Sequence, residues 1–350
     1  MTRDSFRYAL EDPARPALLR YARLIGFTTG LTLLLIMIGA WVRLTDAGLG
    51  CPDWPGCYGK LTPKGASAQI AQAVAEQGGE HGPVSMGKAW REMVHRYIAS
   101  FLGLLIIAIA VQAWRLRRSL DQSPTLPIAL VGVVILQGMF GMWTVTMLLK
   151  PAIVTLHLAG GLLTFVLLVW LMMRQLRLPK LRDPEQLLGL RRAALIGLVL
   201  LCGQILLGGW TSTNYAALAC TDLPTCQGRW WPAMNFVDAF HVFRELGKTD
   251  DGEFLPVEAL TAIHMMHRVG ALIVVGWLAW LALRLWRIEG AQAFARALAL
   301  MVAIQFCLGL SNVWFSLPIS IAVAHTAGAA ILLALMVVLN FRVARSIDQV

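Results

Sequence analysis

The chain has 350 residues, 57% of them hydrophobic and only 14% charged. A soluble domain carries roughly a quarter charged residues, so a water-soluble globular class is excluded. The net charge of +10 is accounted for by membrane topology and anionic lipid, and a nucleic-acid partner is not needed to explain it.

In chain order, spans read at residues 24–42, 93–114, 126–149, 151–173, 193–211, 263–283, 297–317 and 318–341. The first, third, seventh and eighth contain no Asp, Glu, Lys or Arg, and each reaches the ~17–25 residues that cross a bilayer. The first lies behind a charged leader and runs into a Trp- and Arg-bearing segment with no small-residue cleavage pattern, so it is a span and not a removable signal peptide. With the N-terminus inside, the inner segments are 1–23, 115–125, 174–192, 284–296 and 342–350. They hold 19 of the 30 Lys and Arg, including Arg115, Arg117, Arg118, Arg174, Arg177, Lys180 and Arg182. This is the bias that sets orientation. Two outer loops are long, 43–92 and 212–262, and the outer connections near Lys150 and Pro318 are tight turns. Within the first loop, 64–90 is rich in Ala, Gln and Gly and reads as a short surface helix without chemistry of its own.

The chain repeats itself. Shifted by 169, residues 39–61 fall on 208–230 with nine of 23 positions identical, among them Gly39, Trp41, Cys51, Asp53, Pro55 and Cys57. Met93, His95 and Arg96 fall on Met265, His267 and Arg268, and Gln137, Gly141, His157 and Gly160 on Gln305, Gly309, His325 and Gly328. Apolar helices resemble one another by chance, but not in their Cys, His and Gln positions. The expected fold is an all-α integral membrane protein of eight transmembrane helices, as two tandem, parallel-repeat four-helix bundles, with both termini cytoplasmic. The units are a cytoplasmic segment 1–23, an N-terminal half 24–173, a cytoplasmic linker 174–192, a C-terminal half 193–341 and a tail 342–350.

His95, His157, His267 and His325 lie near the outer ends of spans two, four, six and eight, within ~10 Å of the outer interface at 1.5 Å rise per residue. Ionisable side chains in a membrane are costly and usually functional. A helix-capping or backbone-bonding role would suit a single interfacial histidine better than four in duplicated positions. Zinc wants three or four ligands, and the cysteines lie in loops. Two facing imidazoles with small residues beside them match bis-histidine ligation of haem iron. Gly160, Gly161, Gly328, Ala329, Gly270, Ala271 and Ala99 supply that room. Arg96 and Arg268 are candidates for haem propionates, with lipid-phosphate anchoring as the alternative. Gln137 and Gln305 read as interhelical hydrogen-bonding residues.

Cys51 and Cys57, and Cys220 and Cys226, form two CxxxxxC pairs in outer loops, where disulfides persist. For the first pair a structural staple and a redox relay both remain open; for the second a staple is favoured. Cys202 and Cys307 read as packing residues inside helices. The halves differ where function should differ: Glu92 stands three residues before His95, whereas His264 stands three before His267. On a helix Glu92 shares a face with His95, one turn outward. There it could move protons or stabilise positive charge, or pair with Arg91 or Arg96.

GAWVRLTDAGLGCPDWPGCYG, REMVHRYIAS, QGMFGMWTV, TLHLAGG, ALACTDLPTCQG, ALTAIHMMHR and AVAHTAGA together resemble the haem A synthase family over residues 20–340. The resemblance implies a bacterial inner-membrane, multi-pass oxidoreductase acting on a CH group in the assembly of cytochrome c oxidase. It would oxidise the C8 methyl of haem O to a formyl by successive hydroxylations. It implies that His95, His157 and Glu92 hold and act on the substrate haem O, while His267 and His325 ligate a haem b. Haem O synthase and cytochrome c oxidase assembly factors are the candidate protein partners, and a homo-oligomer is compatible with the reading. Two rivals stand beside it. A dihaem cytochrome b exchanging electrons with quinone would leave Glu92 without a task. A membrane thiol-oxidising protein would leave the four histidines unexplained.

Overall fold

The computed structural model describes residues 15–79, 82–176 and 184–347. Arg177, Lys180 and Arg182, which entered the orientation argument, lie outside the described residues. Among those described, eight helices are long and apolar enough to cross a membrane. They are α1 (Arg15–Leu44), α2 (Met86–Arg115), α3 (Thr125–Thr146), α4 (Pro151–Gln175), α5 (Pro184–Thr213), α6 (Val257–Trp286), α7 (Gln292–Trp314) and α8 (Ile319–Ile347).

Several helices run past the apolar stretches that reveal them. The second span was expected to begin at 93, with His95 opening it, yet α2 starts at Met86, where Ser85 Oγ accepts from Lys88 N–H at 3.2 Å. Hydropathy detects only what lies in hydrocarbon, whereas a capped helix continues into water. The 30 residues each of α1, α2, α5 and α6 extend ~45 Å, against a hydrocarbon core of ~30 Å. Glu92 and His95 therefore lie inside a helix already two turns old.

Helix α1 packs on α2 and α4, and α3 packs on α2 and α4, closing a ring of four. The same neighbour pattern holds among α5, α6, α7 and α8, and the two rings meet through α8 against α1 and α4 and through α4 against α5. Tyr21, Ile25, Ile106, Leu130 and Leu168 fill the first ring; Leu187, Leu278, Leu281, Leu298 and Met336 fill the second. Much of every span's outer surface stays exposed and apolar, as a lipid-facing helix requires. Cys202 and Cys307 belong to that surface: both are free and exposed, which corrects their reading as packing residues. A one-letter pattern does not give the rotation of a helix that is apolar on all sides.

The tight turns are built alike. Leu148 and Leu149 before α4, and Ser316 and Leu317 before α8, take positive φ between 50 and 63°. Each turn is closed by an N–H···O bond across five residues, Leu149 to Thr144 and Leu317 to Asn312. Both long loops sit at this same end. The helix expected in the 64–90 stretch is present as Ser67–Glu76, packing Ile70 and Ala73 onto a cluster with Cys51, Cys57, Val84, Ala89 and Met93. The second loop folds around Arg244, a buried side chain that donates to Asn214 Oδ1 at 2.5 Å and to the Asp238 carbonyl at 3.1 Å. The rings are tied here as well. Arg43 donates to the Ser212 carbonyl at 2.9 Å and lies over the Tyr215 ring, whose hydroxyl donates to Asp46 at 2.8 Å.

Candidate functional site

Each of the four histidines lies against a glycine of the helix before its own. A methyl group added at Gly39, Gly141, Gly208 or Gly309 would stand 3.1, 3.2, 3.1 and 3.3 Å from Cε1 of His95, His157, His267 and His325 respectively. Any larger residue would displace the ring. His95 on α2 and His157 on α4 belong to one ring of helices, and His267 on α6 and His325 on α8 to the other. Nδ1 of His95, His157 and His325 is buried without a hydrogen-bond partner. An unsatisfied buried polar atom costs about 1–3 kcal/mol. Its recurrence at three of four related positions points to a ligand that the protein does not itself supply. Among the described residues no three of His, Cys, Asp and Glu gather to hold a metal ion, which leaves paired imidazoles as the available donors.

The expected interhelical role of Gln137 and Gln305 is present in a specific form. Gln137 Nε2–H donates to the His157 carbonyl at 2.7 Å and Gln305 Nε2–H to the His325 carbonyl at 3.0 Å. Reading the sequence missed Gln204, which donates to the His267 carbonyl at 2.9 Å and stands 2.9 Å from its Nδ1. The overlooked signal is a spacing: Gln137, Gln204 and Gln305 each precede the ring-facing glycine by four residues.

Glu92 sits where the first disulfide loop meets α2. Its side chain is 6% exposed and pairs with Arg96 Nη2, and its Oε2 accepts from Cys51 N–H at 2.9 Å. Arg96 Nη1 donates to the carbonyls of Asp53 at 2.8 Å and Gly56 at 2.6 Å. Arg91 instead lies over Trp41, 5.5 Å from the ring centre. Cys51 and Cys57 are joined by a disulfide, and so are Cys220 and Cys226. In the second loop Cys220 N–H donates to His264 Nδ1 at 3.3 Å. Arg268 Nε lies 3.3 Å from His264 Nε2, a nitrogen that carries the ring proton when Nδ1 accepts, and Arg268 donates to the carbonyls of Thr225 and Cys220, each at 2.8 Å. Both arginines thus turn back onto the disulfide loops, a contact their spacing did not reveal.

Residues 22–337 match the COX15-CtaA family model, described as cytochrome oxidase assembly protein. Over 321 residues the chain is 42% identical to the haem A synthase of Shewanella oneidensis, covering 91% of this chain and 95% of that protein. The chain belongs to the haem A synthase family. It is also similar to the haem A synthases of Sphingopyxis alaskensis, 30% identical with 93% and 92% of the two chains covered, and of Rhizorhabdus wittichii, 26% identical with 94% of each covered. The stretch matched to the family runs through both disulfide loops and all four histidines.

Proposed function

We propose that the chain is a haem A synthase of the bacterial inner membrane, converting the C8 methyl of haem O to a formyl for cytochrome c oxidase. The observation that carries this reading is the doubled pair of glycine-backed histidines, three of which keep an unpartnered Nδ1. It fits haem on chemical grounds, since an iron held by two imidazoles asks for two flat rings brought close to their helices. In this proposal both termini are cytoplasmic, the disulfide loops face the oxidising side, and residues 24–173 and 193–341 are tandem halves. His95 and His157 hold the substrate haem O, and His267 and His325 hold a haem b. Arg96 and Arg268, next to the histidines at the loop end, stand at the propionate side. When bound, the haem b supplies one-electron transfer.

Two hydroxylations at one methyl carbon, each a two-electron oxidation that takes up one oxygen atom and needs an external oxidant, give an aldehyde hydrate, and loss of water leaves the formyl. Protons must leave and arrive at that carbon's oxygens. Glu92 is the buried carboxylate one helical turn from His95, and a positioned acid–base group contributes about 10²–10⁴-fold to rate. Cys51 N–H and Arg96 hold both of its oxygens, so the carboxylate is oriented before substrate arrives. His264 at the matching place favours this reading over a dihaem electron-transfer cytochrome, in which the two sites would need no such difference.

Haem extraction with mass analysis, after expression with and without a haem O supply, tests the proposal. Haem b is expected in both preparations and haem A only where haem O is supplied. Two haem b per chain and no haem A would favour the cytochrome reading.

A further inference from the structure

Three of the four histidine-bearing helices are fastened in the same way and the fourth is not. In each of the three, a glutamine one turn before the ring-facing glycine donates Nε2–H to the histidine's backbone carbonyl. Its Oε1 lies over the glycine three residues after that histidine. A Cβ at Gly160, Gly270 or Gly328 would collide with Oε1 of Gln137, Gln204 or Gln305 respectively. Glutamine and glycine are therefore an obligate pair: the amide reaches the carbonyl only where the opposing helix has no side chain. All three Oε1 atoms are buried without partners. A buried amide left half-satisfied inside a membrane is a costly arrangement for packing alone.

At His95 both members of the pair are replaced together. The residue four before Gly39 is Leu35, and the residue three after His95 is Ile98. Leu35 is buried in the apolar cluster of the first ring, and Ile98 packs against the same cluster. The polar latch has given way to apolar packing, and α2 is held near His95 through Glu92 and Arg96 at the loop end instead.

We infer that Gln137, Gln204 and Gln305 are positioning residues that fix three of the histidine-bearing helices. Apolar packing at Leu35 and Ile98 leaves the His95 backbone without this latch, which makes His95 the ligand that opens for exchange of the porphyrin. The inference rests on the proposed division into a substrate site and a resident site, and it deepens that division. A resident cofactor is latched on both sides, by Gln204 and Gln305. A substrate that must enter and leave as product is latched on one side, by Gln137.

The test follows haem release from detergent-purified protein to an excess of apo-globin, with each released porphyrin identified by mass. In the wild type, haem O and haem A leave faster than haem b. The double variant Leu35→Gln with Ile98→Gly installs the missing latch, and release of haem O and haem A slows by roughly tenfold, the range of groups that orient a metal's ligands. Gln204→Leu removes a latch from the other site, and release of haem b quickens by a similar factor while haem O release is unchanged. Should the double variant lose its fold, the Gln204→Leu result decides alone. Unaltered haem b release from Gln204→Leu overturns the inference, as do equal release rates for the two haems in the wild type at full haem content. Wild-type protein holding no haem b would overturn the two-site reading itself and this inference with it.

Discussion

At the head of α2, Cys51 N–H and Arg96 converge on the carboxylate of Glu92; at the head of α6, Cys220 N–H and Arg268 converge on the imidazole of His264. The disulfide turns are otherwise built alike, down to an Asp that accepts from the backbone of the turn: Asp53 from Tyr58 and Gly59, Asp222 from Gln227 and Gly228. A carboxylate accepts several donors at once, whereas a neutral imidazole offers one acceptor nitrogen. Cys51 N stands 2.9 Å from Glu92, whereas Cys220 N and Arg268 Nε each stand 3.3 Å from the ring nitrogens of His264, of which only one accepts. Equivalent turns therefore hold a carboxylate at one site and an imidazole at the other. Under the proposed function, Glu92 against His264 is one of the differences on this repeated frame that would separate a reaction site from a holding site.

Exchanging a histidine would break the comparison most severely. His267→Ala should abolish the low-spin haem b spectrum of the purified protein, and His95→Ala should leave it intact. Loss of that spectrum in His95→Ala, with retention in His267→Ala, reverses the assignment of the halves.

Glu92→Gln comes next. Arg96 keeps the Asp53 and Gly56 carbonyls, so the cation is not stranded, the usual reason that breaking a buried pair costs about 3–5 kcal/mol. Folded protein with near-normal haem content is expected, with haem A formation down by about 10²–10⁴-fold and haem O or its alcohol accumulating on mass analysis. Glu92→His, which copies the second site, should be equally inactive. A normal haem A yield from Glu92→Gln would reduce the residue to an ion-pair partner.

Replacing both cysteines of one loop with alanine should have a smaller effect, and an unequal one. Each short loop loses about 2 kcal/mol of constraint, read as a similar fall in melting temperature. Haem A yield should fall more for Cys51 and Cys57, because their loop presents an N–H to Glu92. Equal losses of yield would argue that the loop does not position the carboxylate. In the intact protein, alkylation after denaturation without reductant should label Cys202 and Cys307 alone.

The smallest effect concerns Asp222. The Thr225 hydroxyl, followed by the Gly228 and Gln227 amides, holds its carboxyl down to about 2. A pKa depressed on folding adds stability that is present above the unfolded value, near 4, and is lost as pH falls through about 2. Reduction of Cys220–Cys226 by a phosphine should quicken over that acid window in the wild type and show no such step in Asp222→Asn. A step of equal size in Asp222→Asn would place the sensitivity elsewhere.

How much of this was legible beforehand differs residue by residue. Eight spans could be read because hydrocarbon selects apolar runs of fixed length, a property of consecutive residues. The histidines, Glu92 and the cysteine pairs stood out because polar groups are rare and costly in such runs, so their positions carry information without any coordinates. What tertiary structure decided depends on helix rotation and on partners far along the chain. Gly39 and Gly208 matter because the rings of His95 and His267, 56 and 59 residues later, lie against them. Arg96 and Arg268 could face lipid, propionate or loop, and only the folded loops bring the carbonyls of Asp53 and Cys220 to them. The outward turn of Cys202 and Cys307 was not legible because an all-apolar helix has no patterned face to announce its buried side. Gln204 went unread because a glutamine in a span looks the same whether it meets a neighbouring helix or the backbone of a histidine. That choice is made by the glycine opposite it, which only packing brings near.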